Sequence, residues 1–336
     1  MKNLFDYATK ELSQDAFLRW LFENYEDPVL GEVANDLIGK FCNFRESEKL
    51  QSLETKTQWN KIDISIWLTT TLGRKIALFI EDKTFSLEHE QLTAYNKHID
   101  AIKDRDVYKI FFKTDLIDED EQARIDEANK TEFSHWQVFD IDKINTLFEK
   151  YTQSDNIILS QYAEHIKRLY KAATNTTKPK SNNGNVDWLA WKAYFNKVVI
   201  PQLKQNKDKF ICGTWKAGQY PYVVLYIKKC GYGERNIPYL EIQSRDCQNN
   251  EFKAKILCYG INEKDIPQQK ALIENIKAVP DLECKYIKTS KKGAENFFPK
   301  QVGFSRGGLH AETDEEYISL VKKYIDIYLD VMKDWQ

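Results

Sequence analysis

Two consecutive strand patterns, joined by a short turn, constrain the fold of this chain most strongly. From Lys61 to Thr70, apolar residues alternate with a second set that includes Asp63, which is the period of a half-buried strand. Residues Ile76–Ile80 (IALFI) form an uninterrupted apolar run, typical of a strand that is covered on both faces. The two segments together predict a hairpin inside a sheet.

The segments around this hairpin predict a sheet with helices packed against it. Helical patterns lie at Ser13–Tyr25, Pro28–Cys42, Glu88–Lys103, Asp142–Tyr151 and Asn156–Ala173, and further strands at Val107–Phe112 and Trp136–Phe139. The acidic stretch Asp115–Glu127 is expected to form a surface loop. The order of elements predicts an α/β fold with a mixed sheet flanked by helices.

A linker divides the chain. Residues Thr174–Val186 (TNTTKPKSNNGNV) lack apolar periodicity and carry the composition of a loop. We therefore predict a first domain over 1–173, a linker over 174–186 and a second domain over 187–336. The second domain carries a helical pattern at each end and strand-like stretches between them, which predicts an α+β domain. Within it, Gly303–Gly308 (GFSRGG) is expected to be a loop, with phosphate contact as a second interpretation.

The net charge of −2 conceals a difference between the two halves. From Asn175 onward the chain has 26 basic and 19 acidic residues, whereas residues 1–174 have 23 basic and 32 acidic ones. The halves therefore carry +7 and −9. Composition drift together with one acidic loop explains this difference, and so does a basic half that binds a polyanion beside an acidic half that holds a metal ion.

The composition and the N-terminal stretch also indicate where in the cell the protein is located. No apolar run approaches the ~20 residues of a membrane-spanning helix, and the N-terminal stretch has no uninterrupted apolar core of a secretory signal. The six cysteines form no CxxC pair, so a zinc cluster is not expected. We expect a cytoplasmic protein with reduced thiols and no membrane partner.

The apolar strand ends in three charged residues, Glu81, Asp82 and Lys83. Side chains alternate across a strand, so Glu81 and Lys83 share one face and Asp82 lies on the other. Charged groups at the end of so apolar a strand need partners, because burying them alone is unfavourable. The strand end is therefore a candidate polar site.

The loop between the two strands decides whether Asp63 joins this site. A three-residue loop would place Gly73 in the left-handed conformation that such loops favour, and would set Asp63 opposite Glu81 on the same face. A loop of two or four residues would set Asp63 opposite Ile80 or Asp82, which moves Glu81 to the wrong face unless a bulge intervenes. The position of the glycine is consistent with the first arrangement.

Two converging carboxylates are suitable ligands for Mg²⁺, which keeps several waters and takes few protein ligands. Such an ion stabilises charge on a phosphate and lowers the pKa of a bound water. Lys83 could orient that water, help to deprotonate it or stabilise the charge that develops. A salt-bridged strand end on a solvent-exposed face is the alternative interpretation.

The Glu-x-Lys pattern by itself carries little information, because it occurs four times in the chain. The copies are Glu54-Thr55-Lys56, Glu81-Asp82-Lys83, Glu251-Phe252-Lys253 and Glu283-Cys284-Lys285. Only the second follows a five-residue apolar strand and has an aspartate upstream on an alternating strand. This context, rather than the pattern, distinguishes it.

Further residues extend the pattern on both sides. Seventeen residues separate Asp63 from Glu81-Asp82-Lys83, and Gln91-Leu92-Thr93-Ala94-Tyr95 follows on the next predicted helix. This arrangement resembles the PD-(D/E)XK nuclease superfamily, and its Gln-x-x-x-Tyr resembles the motif of the RecB-type branch. The opening FDYATKELSQDAFLRWL is similar to the first helix of an uncharacterised bacterial family in that superfamily. The resemblance covers roughly residues 1–150 and departs at Ile62, which stands where the name of the superfamily has proline, a residue that many members also lack.

The resemblance implies a restriction-endonuclease-like fold and Mg²⁺-dependent hydrolysis of phosphodiester bonds, with Mn²⁺ as a substitute ion. It implies that Asp63 and Glu81 bind the metal and that Lys83 serves the attacking water. Gln91 and Tyr95 would position the scissile region or support the site, although Tyr95 also lies on an apolar stripe and could be core. Asp15 on the first helix is a further supporting candidate, and a helix N-terminal charge is the alternative for it.

The substrate implied by the resemblance is DNA, with RNA as the alternative, and the sequence leaves the oligomeric state open. Two competing hypotheses remain at this point. One is a non-catalytic module that binds nucleic acid or protein on a nuclease scaffold. The other is a protein-interaction scaffold with no nucleic-acid partner.

Overall fold

The computed structural model describes residues 3–7, 11–84, 86, 90–130, 133–179, 187–203, 210–217, 220–227, 239–246, 251–259, 274–275, 278–279, 283–284 and 301–333. The chain divides into two compact units, Met1–Ala173 and Thr174–Gln336. This division falls where the linker is predicted to begin. The later part of that linker, 180–186, lies outside the described residues.

The first unit alternates helices and strands. In chain order its elements are a 3-10 helix at Leu4–Asp6, α1 (Glu11–Glu23), α2 (Pro28–Phe41), β1 (Leu50–Trp59), β2 (Ile62–Thr70), β3 (Lys75–Lys83), α3 (Gln91–Ile99), β4 (Asp106–Lys113), α4 (Glu119–Ala128), β5 (Trp136–Phe139), α5 (Ile141–Phe148), a 3-10 turn at Glu149–Tyr151 and α6 (Ile157–Ala173).

The five strands form one sheet in the order β1-β2-β3-β4-β5. The pairs β1–β2 and β2–β3 are antiparallel, whereas β3–β4 and β4–β5 are parallel. Phe41 of α2 packs against Phe112 and Phe139 on one face of the sheet. On the other face, Phe79 and Leu92 belong to a core that α3 covers. The predicted mixed α/β sheet flanked by helices is confirmed at this level.

The hairpin between β2 and β3 has the predicted three-residue loop. Gly73 has a φ of +77°, a conformation that glycine adopts without strain. The paired residues Ile64 and Ile80, and likewise Ser65 and Phe79, stand opposite each other. The same register continued by one pair sets Asp63 opposite Glu81, as predicted.

Two elements of the first unit differ from the sequence-based expectation. The acidic stretch expected as a loop contains α4, because Asp118 caps the helix by accepting the Glu121 N–H at 2.9 Å, and Ile125 and Ala128 are buried one turn apart. Strand β1 was not expected, because its sequence is largely polar. Among the described strands it pairs with β2 alone and forms an edge of the sheet, and much of it faces solvent.

The second unit is an antiparallel sheet with helical segments, which agrees with the predicted α+β class. Its elements are α7 (Trp188–Tyr194), a π-helical turn at Phe195–Val199, α8 (Ile200–Gln202), β6 (Phe210–Ala217), β7 (Tyr220–Ile227), β8 (Tyr239–Asp246), β9 (Glu251–Tyr259), β10 (Glu283–Cys284), β11 (Gln301–His310) and α9 (Asp314–Val331). The strand order is β10-β11-β9-β8-β7-β6. Trp191, Phe252 and Tyr317 pack together in its core.

The glycine-bearing stretch Gly303–Gly308 is part of a strand and not a loop. It lies in β11, which pairs with β9 along most of its length. The register shifts between Arg306 and Leu309, where Gly308 has a φ of +66°. Glycines that read as loop residues therefore mark a bulge.

Among the residues that the structure describes, no helix is both long enough and apolar enough to span a membrane.

Candidate functional site

Glu81 and Lys83 meet at the carboxyl end of β3. Lys83 Nζ lies 2.8 Å from Glu81 Oε1, and the two side chains are only 7% and 1% exposed. The alternation of the strand brings them to the face that α3 covers, and Asp82 lies on the opposite face, where Gln14 of α1 donates to it. The predicted division of the three charged residues between the two faces is confirmed.

Asp63 reaches the same strand end from β2. Its Oδ2 accepts a hydrogen bond of 3.0 Å from the backbone N–H of Asp82. This contact fixes the carboxylate beside the strand that carries Glu81, and the charge of Asp63 raises the pKa of Glu81. The structure thus brings Asp63, Glu81 and Lys83 together.

The carboxyl group of Glu81 is poorly satisfied where it lies. Burial first, and then the charge of Asp63, raise its pKa to about 8, whereas Lys83 acts in the opposite direction. Neither carboxylate oxygen accepts a hydrogen bond of regular geometry from the described residues, despite the short approach of Lys83. A bound cation would relieve both the repulsion from Asp63 and the desolvation.

The Glu-x-Lys copy at Glu54 and Lys56 shows how much the environment matters. It lies in β1 of the same sheet, but its side chains are 66% and 49% exposed and its N–O distance is 3.5 Å. Glu81 and Lys83 have the same spacing and are almost fully buried. An exposed ion pair contributes little, whereas a buried one constrains the chemistry of its surroundings.

Gln91 and Tyr95 border the carboxylates from α3. The Tyr95 hydroxyl donates to the carbonyl of Lys61 at 3.0 Å, and Gln91 Nε2 donates to the Tyr95 oxygen at 3.4 Å. Burial, followed by the charges of Glu81 and Asp63, holds the pKa of Tyr95 well above its ordinary value. Tyr95 is also part of the apolar core. Its position therefore fits both the core interpretation and the supporting role.

Two buried lysines of β4 pair with residues on the helices that cover this face. Lys109 Nζ lies 2.7 Å from Asp100 Oδ1 and donates to Asn96 at 2.8 Å. Lys113 Nζ lies 3.0 Å from Glu121 Oε1. Burial is the main cause of the lowered pKa of Lys109. These pairs link α3 and α4 to the sheet, and α3 carries Gln91 and Tyr95 to the site.

Asp15 lies beside Asp82, on the face opposite Glu81. Burial raises the pKa of Asp82 well above its usual range, and the charge of Asp15 adds to that effect. The hydrogen bond from Gln14 opposes it. The structure therefore contains two carboxylate pairs on opposite sides of one strand. Gln14, which directly precedes Asp15 in α1, contacts this pair although no local sequence pattern indicates it.

A separate cleft of about 700 Å³ lies where β4 and β5 end and α4 and α5 begin. Its lining combines apolar side chains with one lysine and five aspartates, namely Asp115, Asp118, Asp126, Asp140 and Asp142. Negative charge at this density repels a polyanion.

The chain has no match among models of known protein families, and no curated protein matches it. Within the described residues, no group of three or more acidic, histidine or cysteine side chains is placed to hold a metal ion. Two carboxylates suffice for Mg²⁺, which retains most of its waters. Asp63 and Glu81 fit such an ion, because Glu81 is buried and is repelled by the charge of Asp63.

Proposed function

We propose that the chain is a Mg²⁺-dependent nuclease that hydrolyses phosphodiester bonds, with DNA as its substrate. One observation carries this proposal. Asp63 and Glu81 converge at the end of a buried strand, and Lys83 lies 2.8 Å from Glu81. Two carboxylates beside one lysine match the needs of metal-assisted phosphodiester hydrolysis.

The fold of the first unit supports the same proposal. A helix precedes an antiparallel meander of three strands, and a helix and a parallel strand follow. This order is compatible with the restriction-endonuclease-like fold that the resemblance implies. In this arrangement α3 follows β3 and lies over the face that holds the two carboxylates.

Each residue would have a distinct task. Asp63 and Glu81 would hold the Mg²⁺ ion, which supplies charge stabilisation at the phosphate and an acidified water. Lys83 would hold the attacking water by a hydrogen bond, and its cost of burial is offset by Glu81. Gln91 and Tyr95 would keep the reacting phosphodiester in position from α3.

Charge supports a polyanionic substrate. The second unit has the basic excess, with 26 basic and 19 acidic residues from Asn175 onward. Backbone phosphates are recognised largely through such positive charge. RNA offers the same backbone charge, so the choice between DNA and RNA is a question for the experiment.

The test is a cleavage panel with the full chain in Mg²⁺ and in Mn²⁺. The substrates are linear, circular, single-stranded and branched DNA, together with one single-stranded RNA. We expect cleavage of at least one DNA substrate, loss of that cleavage in EDTA, and loss of it in Asp63→Asn and Glu81→Gln.

The matched control is Glu54→Gln, which removes the glutamate of the exposed Glu-x-Lys copy in the same sheet. It should cleave like the wild type. Cleavage that survives Glu81→Gln would contradict the proposed site, and no cleavage of any substrate would favour the non-catalytic module.

A further inference from the structure

The turn between β1 and β2 has an unusual backbone. Asn60 and Lys61 connect the paired residues Trp59 and Ile62, and their φ angles are +51° and +71°. Two-residue hairpin turns with positive φ at both positions favour Asn-Gly, because glycine has no Cβ to clash. Asparagine occupies the first position in accordance with this preference, but a lysine stands where glycine would be less strained.

This strained residue is anchored to the site. Its carbonyl oxygen accepts the hydrogen bond from the Tyr95 hydroxyl at 3.0 Å. Tyr95 is close enough to Glu81 and Asp63 for both charges to affect it. Lys61 also stands only two residues before Asp63 in the chain. The turn therefore holds the backbone of Lys61 at the border of the carboxylate pair.

Lys61 differs from the buried lysines on this side of the sheet. Lys83, Lys109 and Lys113 each form an ion pair with a carboxylate and are almost inaccessible. Lys61 is exposed, and none of the residues that the structure describes forms an ion pair with it. Its ammonium group is therefore available to a ligand.

We propose that Lys61 is a substrate-binding residue that holds a backbone phosphate next to the one at Asp63 and Glu81. The inference rests on the proposed nuclease function and names a contact within it. A cation carried by this turn, two residues from Asp63 in the chain, would attract the substrate without being a metal ligand. A phosphate contact of this kind adds affinity that does not depend on base sequence.

This role predicts opposite effects on stability and on substrate binding. Lys61→Gly should relieve the backbone strain and raise the thermal midpoint by about 1–3 °C. The same change should raise KM, leave kcat nearly unchanged, and reduce the salt dependence of log(kcat/KM) by about one unit. A residue with only a structural role would not change the salt dependence.

The experiment measures cleavage kinetics of the best substrate from the panel between 50 and ~200 mM salt, with melting curves for each variant. Asn60→Gly is the matched control, because it changes the same turn without removing a charge, and it should keep the wild-type KM and salt dependence. Lys61→Arg should also keep both.

The outcomes separate the two proposals. If the wild type cleaves and Lys61→Gly has the wild-type KM and salt dependence, the role of Lys61 is wrong and the nuclease function stands. A fall in kcat at unchanged KM, or a loss of affinity shared by Asn60→Gly, would also overturn the role of Lys61. If the wild type neither binds nor cleaves any nucleic acid in the panel, both proposals are wrong.

Discussion

The two faces of β3 hold carboxylate pairs that differ in one respect. On the face covered by α3, Glu81 stands beside Asp63 and pairs with the ammonium group of Lys83. On the face near α1, Asp82 stands beside Asp15 and receives a hydrogen bond from the neutral amide of Gln14. Burial raises the pKa of both Glu81 and Asp82.

The different partners of Glu81 and Asp82 suggest that the two carboxylate pairs have different roles. A neutral amide partner and a shared proton can satisfy the pair at Asp82 without any ion. Both pairs include a half-buried aspartate and oxygens that lack regular hydrogen bonds, but only the pair at Glu81 includes a lysine, whose charge favours the ionised carboxylate. We therefore expect metal binding and catalysis at Glu81, and a structural role for Asp82.

The largest expected effect is a difference in cleavage rate between substitutions on the two faces of β3. Asp63→Asn and Glu81→Gln should each reduce Mg²⁺-dependent cleavage at least ~100-fold, because each removes a proposed metal ligand. Asp82→Asn should remain within about tenfold of the wild type, because its effect on the site is indirect. Initial rates under saturating Mg²⁺ measure both. Equal losses in Glu81→Gln and Asp82→Asn would remove the functional distinction between the faces.

A second test uses the stabilisation that a bound ion provides. Mg²⁺ at ten times its Kd should stabilise the wild type by about 1.4 kcal/mol, which is a rise of roughly 3–6 °C for a unit of this size. Thermal melting with and without Mg²⁺ measures this shift. Asp82→Asn should retain the shift and Glu81→Gln should lose it. A shift that Glu81→Gln retains would place the ion elsewhere.

The free energy of unfolding should depend on pH through the raised pKa of a carboxyl group on each face of β3, Glu81 and Asp82. The pKa of Glu81 is raised to about 8 in the folded chain, so the folded state binds more protons than the unfolded state above the ordinary carboxyl range. Its stabilising contribution is complete below about pH 4 and is lost as the pH rises through 8, with a slope approaching ~1.4 kcal/mol per pH unit.

Glu81→Gln should therefore flatten the fall in stability between pH 5 and ~8 and be more stable than the wild type at the alkaline end. Saturating Mg²⁺ should flatten the wild-type curve in the same way, since the ion binds the ionised carboxylate. Asp82→Asn should also flatten the metal-free curve, because the pKa of Asp82 is raised as well. Urea unfolding across this range measures the slopes. A steeper curve for Glu81→Gln would contradict the direction of the shift.

The smallest expected effect concerns the amide on the α1 face. Gln14→Leu removes the hydrogen-bond donor of Asp82 and should lower the free energy of unfolding by about 1–3 kcal/mol. Cleavage should stay within about threefold of the wild type, because the change affects the proposed site only indirectly, as in Asp82→Asn. Gln122→Leu is the matched control, since Gln122 makes an exposed bond of 2.9 Å to Asp126, and its effect should lie within ~0.5 kcal/mol. A loss of cleavage in Gln14→Leu without a loss of stability would contradict the structural role.

Much of the site geometry followed from local rules of the sequence. The glycine at 73 predicted the loop length, the loop length predicted the register, and the register set Asp63 opposite Glu81. The alternation of β3 predicted which charged residues share a face. These features depend on neighbours in sequence or on one hairpin, which is why they could be predicted.

Other features depend on contacts between distant segments and could not be predicted. The bond from Gln14 to Asp82 joins residues 68 apart in the chain, and no local pattern indicates it. The helix α4 is acidic along most of its length, and only the burial of Ile125 and Ala128 shows which side it packs. The polar edge strand β1 also lacked a periodicity that would reveal it.

The central claim is that one divalent ion binds between Asp63 and Glu81. Crystals of the full chain soaked in Mn²⁺ and measured at the manganese absorption edge test it most directly. We predict one anomalous peak within coordination distance of both carboxylates, and its absence from crystals of Glu81→Gln soaked in the same way. No peak at these residues, or a peak between Asp15 and Asp82 instead, would contradict the claim.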